Sequence, residues 1–98
     1  MPVFAFEPDD GVLHQLGSEA EALRLEADTS REFLFFAADG SPLKRSGLPD
    51  GSSYLRPWAA CGSCRLDQVL HAVRVVQTES GVSTIEAVLK HLEEARDE

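Results

Sequence analysis

Apolar positions alternate through the first half of this chain and recur at helical spacing in its last third. Val3 to Glu7 reads as a short strand, Pro8-Asp9-Asp10-Gly11 as a turn, and Val12 to Leu16 as the returning strand of a hairpin. Gly17-Ser18 stops that strand. Ser18 and Glu21 have capping-box spacing, which predicts a helix from Glu19 to about Ala27 with Ala20, Leu23 and Ala27 as its apolar face. Arg31 to Ala38 is the strongest strand signal. Phe33 and Phe35 fall on one side and Leu34 and Phe36 on the other, the pattern of an interior strand. Asp39-Gly40 is a hairpin turn, and Pro42 to Ser46 pairs back. After the loop from Gly47 to Ser52, a strand from Ser53 to Ala59 puts Tyr54, Arg56 and Trp58 on one face. Pro57 places it at an edge or bends it.

Leu66, Val69, Leu70, Val73 and Val76 have the spacing of a helix face, and Ser80-Gly81 ends it. A second capping box, Ser83 with Glu86, opens a final helix with Ile85, Val88, Leu89 and Leu92 as its stripe. These elements predict one α+β domain over residues 1–98. Its small antiparallel sheet of about 4–5 strands carries one helix after the first hairpin, and two C-terminal helices pack on one face.

Composition is compatible with that domain. The chain has 98 residues, 43% apolar and 27% charged, so wholesale disorder is not expected. A chain of this length buries roughly 60–70% of the surface its unfolded form exposes, enough for one core without metals or disulfides. No apolar run has the length of a transmembrane helix, and the start lacks the basic region of a signal peptide. The expected location is a bacterial-type cytoplasm, with both cysteines reduced.

Charge narrows the function classes. The net charge is −8, unevenly spread: residues 1–39 carry nine acids and two bases, residues 40–78 two acids and five bases, and residues 79–98 six acids and two bases. Such a field repels nucleic acid and anionic membrane and speeds encounter with basic proteins.

The one sharp chemical motif is Cys61-Gly62-Ser63-Cys64, placed before a predicted helix, where amides and the helix dipole lower a thiol pKa. With Trp58 nearby it resembles the redox motif of the thioredoxin family over a handful of residues. It departs from that family because the tryptophan is not adjacent, no proline follows Pro57, and everything after Cys64 reads as helix. Zinc would need two more ligands, and the candidates, His71 and His91, fit no common spacing. His14 has no serine or cysteine at a motif spacing, and nothing resembles a nucleophile elbow or a phosphate-binding loop. No catalytic residue, metal or cofactor is therefore expected.

The remaining candidates are the acids Glu7, Asp9, Asp10, Glu19, Glu21, Glu26 and Asp28, which would form a landing surface for Lys and Arg. Tyr54 and Trp58 are the aromatics suited to anchor a partner beside them. In size, acidity and α+β layout the chain resembles small bacterial immunity proteins, which neutralise a partner toxin. That resemblance implies a non-enzymatic, immunity-type inhibitor that holds a basic toxin domain, such as a nuclease, by an acidic patch. Two alternatives stay open: a thiol redox or metal-binding protein using Cys61 and Cys64, and a small self-associating structural or regulatory subunit. The oligomeric state is not set by the sequence.

Overall fold

The computed structural model describes residues 2–29, 32–58 and 65–96. Cys61 and Cys64 lie outside the described residues, as does part of the segment from Arg31. In chain order the elements are β1 (Val3–Glu7), β2 (Val12–Leu16), α1 (Glu19–Thr29), β3 (Leu34–Phe36), β4 (Pro42–Gly47), β5 (Ser53–Pro57), α2 (Leu66–Val69), a 3-10 turn (Leu70–Ala72), β6 (Val75–Thr78), β7 (Gly81–Ser83) and α3 (Ile85–Arg96). The strands form one seven-stranded sheet in the order β5-β4-β3-β1-β2-β6-β7. Every pairing is antiparallel except β2 with β6.

The expected sheet of about 4–5 antiparallel strands is thus overturned, along with the single layer of helices. The sheet is mixed and has seven strands. Helices pack on both of its faces. The cause is the segment after residue 65. Leu66, Val69, Leu70, Val73 and Val76 do reach one core, as their spacing implies. Of the helix expected up to Ser80-Gly81, however, only Leu66–Ala72 forms, in two short pieces. Val75-Val76-Gln77-Thr78 is extended, with β-branched residues suited to a pleated surface, and Ser80-Gly81 turns a hairpin instead of ending a helix. The helical continuation that separated this chain from a thioredoxin-like plan is therefore absent.

One face of the sheet carries the larger core. Phe4, Phe6, Leu13, Phe36 and Val76 meet Leu66, Leu70, Val88 and Leu92 from α2, the 3-10 turn and α3. Thr84, one residue later than expected, caps α3 by accepting the Ala87 amide at 3.2 Å. Leu89, expected in the stripe of α3, is exposed. The opposite face holds Ala5, Phe33 and Phe35 against Ala22 of α1, with Leu25, Leu43 and Leu55 packed around them. The face of α1 thus differs from the expected one. Ala20 and Ala27 are exposed, and Ala22 is the buried residue. β4 and β5 curl toward α1: Leu43 and Leu55 join its cluster, the Glu19 carboxylate accepts the Leu55 amide, and Glu26 pairs with Arg45 at 2.9 Å.

Gly11 links the parallel pair. Its φ of 69° suits glycine, and its carbonyl accepts the Arg74 amide at 2.6 Å and the Val75 amide at 3.3 Å. A Cβ there would lie 3.0 Å from the Ala72 carbonyl oxygen and 2.9 Å from Arg74 Cγ, so no larger residue fits without a shift.

Candidate functional site

The acids that the sequence groups together are divided by the fold. Asp9 and Asp10 sit in the β1–β2 turn, whereas α1 starts at the other end of that hairpin. Glu7 is 6% exposed at the end of β1, with its Oε2 4.0 Å from His14 Nε2. His14 is half-buried and meets Phe33 edge-on, ring centroids 5.8 Å apart. Burial pulls the His14 imidazole below its ordinary pKa, and the facing Glu7 carboxylate partly opposes this. Glu19 and Glu26 hold β5 and β4 to α1, as described above. Tyr54 is exposed on β5, and Trp58 is half-buried just beyond that strand, with the Lys44 ammonium 6.0 Å from its ring centroid. No single surface unites the nine expected residues.

Two of them, Glu21 and Asp28, do share a site. Residues 21, 24, 25 and 28 recur at helical spacing, so Glu21, Arg24, Leu25 and Asp28 lie on one flank of α1. This flank, with Leu16 of β2 and Glu79 of the β6–β7 turn, lines an open depression of about 450 Å³. Leu16 and Leu25 supply the apolar part. Three carboxylates face a single guanidinium.

The start of α1 builds the rim. Gly17 donates its amide to Glu21 Oε2 at 2.8 Å, and the Glu21 amide donates to Ser18 Oγ at 3.3 Å. The capping box thus forms with one change, Gly17 replacing Ser18 as the amide held by the glutamate. The Gly17 amide, and next a hydrogen bond shared with the Glu79 side chain, keep Glu21 below the usual carboxylate range. That shared bond and the Glu21 charge push Glu79 up.

Beyond the depression, the same face of the sheet carries further residues. Ala5 belongs to the α1 cluster and lies opposite His14, so Val12, His14 and Leu16 of β2 share that face. The register adds Val75 beside Val12, Gln77 beside His14, and Val82 beside Gln77. α1 leaves this strip uncovered: Val82 is 71% exposed and Val75 36%. Sequence reasoning missed Leu16, Glu79, Val75 and Val82. The signal available was the Val75–Val82 segment, whose turn residues and β-branched pairs fit a hairpin as well as a helix end.

No family model, curated protein or solved structure matches the chain. Among the described residues, no helix is long and apolar enough to cross a membrane.

Proposed function

We propose that this protein is a non-catalytic binding module that takes a basic, partly apolar segment of another protein into the depression between α1 and the β6–β7 hairpin. One observation carries the reading: Glu21, Asp28 and Glu79 ring the apolar Leu16 and Leu25, on a sheet face that also carries the exposed Val75 and Val82. Exposed apolar surface rimmed by charge is the usual form of a protein-binding site. The charge sign selects a Lys- or Arg-bearing partner, and the overall −8 speeds its encounter. The immunity-type inhibitor implied by the resemblance is a special case of this reading, in which the basic partner is a toxin.

The test begins with cross-linking in the native cell, followed by purification of the captured protein and calorimetric titration. The partner is expected to be basic and to bind at least about tenfold more weakly when salt is raised from 50 to 200 mM. Asp28→Lys with Glu79→Lys is expected to weaken binding at least about tenfold, the equivalent of 1.4 kcal/mol. Glu86→Lys with Glu93→Lys, on exposed positions of α3, is expected to change it little. An acidic partner, or equal losses in both double variants, would overturn the reading.

A further inference from the structure

A second cavity, independent of the acidic depression, opens where β3 and β4 part. β4 runs from Pro42 to Gly47, yet it pairs with β3 only through Phe36↔Pro42 and Phe35↔Leu43. The bond from the Trp58 amide to the Pro42 carbonyl (3.0 Å) and that from the Leu48 amide to the Ser52 carbonyl (2.8 Å) set the β4–β5 ladder. By alternation, the amide and carbonyl of Arg45 then face β3, where the ladder has already ended. The gap holds about 580 Å³, within the range of small-molecule sites.

The walls of this gap are largely aromatic and aliphatic: Phe33, Leu34, Phe35, Phe36, Pro42 and Val69 contribute. Leu34 is 39% exposed, unusual for a large apolar residue of an interior strand. The polar lining is asymmetric. Arg45 is neutralised by Glu26 at 2.9 Å. Lys44 has no carboxylate partner among the described residues, and its ammonium sits over Trp58, itself in the lining. A largely apolar cavity is thus matched by one cation without a carboxylate partner among the described residues.

We infer that this cavity binds a small amphipathic anion, an apolar body bearing one carboxylate, with the body between β3 and β4 and the carboxylate on Lys44. The unpaired cation excludes a cationic head, and the apolar walls exclude a polar body. The Arg45 amide supplies a second donor facing the gap.

Trp58 is the single tryptophan of the chain, so its emission reports on this site alone. The probe is decanoate, with 1-decanol and decyltrimethylammonium as controls, each below its aggregation threshold. Decanoate is expected to shift the Trp58 emission with a saturable 1:1 isotherm. Decanol is expected to bind about tenfold more weakly, and the cationic amphiphile not to saturate. Lys44→Gln is expected to weaken decanoate about tenfold and leave decanol unchanged. Val69→Phe is expected to remove binding of both, and Leu34→Phe serves the same purpose if that variant does not fold. Decanoate that fails to saturate, or binds Lys44→Gln as tightly as the parent, would overturn the inference. So would protection of the Arg45 amide from hydrogen exchange by an extended peptide where decanoate gives none, since the gap would then be a strand acceptor. None of these readouts involves the acidic depression, so failure here leaves the protein-binding proposal standing.

Discussion

The two faces of the sheet are built to different depths. On the α2 and α3 side, Phe4, Phe36, Leu13, Leu66, Leu92, Val76 and Val88 are all but completely buried. On the α1 side, the core is smaller: Ala5 and Ala22 are fully buried, and Phe33 and Phe35 are buried beside them. The one buried residue of α1 is Ala22, so the helix itself adds little apolar area to the two phenylalanines, and burial scales with area. α1 also packs against only part of its face, leaving the strip over β2, β6 and β7 open. The deep side supplies stability. The shallow side leaves Val75 and Val82 open to solvent.

The comparison is broken most directly by removing one leucine from each side. Leu92→Ala, on the deep side, is expected to cost about 2–5 kcal/mol, the range for a buried leucine. Leu25→Ala, half-buried on the shallow side, is expected to cost about 1 kcal/mol. Urea unfolding of both variants checks this, and equal losses would mean that the faces share one core. A smaller effect concerns His14, which lies on the shallow side. Its pKa is lowered in the folded state, so the unfolded chain binds the proton more readily. Stability from this group is full above the ordinary histidine pKa of 6.5 and falls as pH drops through and below it. Between pH 7.5 and 5.5 the parent is expected to lose more of its urea midpoint than His14→Gln, and parallel losses would contradict the assignment. The smallest effect is at Glu79, whose pKa is raised by Glu21. That shift costs stability once pH exceeds the raised value, so Glu79→Gln is expected to raise the melting temperature slightly at pH 7. The gain should vanish at pH 3, where the carboxyl is protonated in the folded and unfolded states alike.

The sequence announced β1, β2, β4 and β5 clearly, because alternation and turn residues act locally, whereas the strand expected from Arg31 to Ala38 is extended sheet only at Leu34–Phe36. Pro8 to Gly11 and Asp39-Gly40 each dictate a chain reversal whatever the rest of the fold does. Whereas α3 was read as the helix it is, the region from Leu66 to Ser83 was illegible for the converse reason. Its apolar positions do meet one core, but Leu66 and Leu70 arrive from helical turns and Val76 from a strand. Spacing alone reports burial and not the backbone that delivers it. α1 shows the same limit, since Ala20, Leu23 and Ala27 match helical spacing as well as Ala22 and Leu25 do. Only the position of the sheet decides between them. The acids were legible as a count but not as partners. Nothing near Glu19 or Glu26 in the chain points to Leu55 or Arg45, which come within reach only because β4 and β5 curl around α1.

The parallel join of β2 to β6 bears on how the molecule is made. During synthesis, strands β1 to β5 emerge with their neighbours close at hand, but the partner of β2 follows only after some sixty further residues. Until then the outer edge of β2, from Val12 to His14, offers unpaired amides and carbonyls to any passing strand. Long-range pairings of this kind close slowly, so the nascent chain spends that interval open to aggregation. Closure comes when the Arg74 and Val75 amides reach the Gly11 carbonyl. A glycine in the first turn of the protein thus waits on residues in its final third before the sheet is complete.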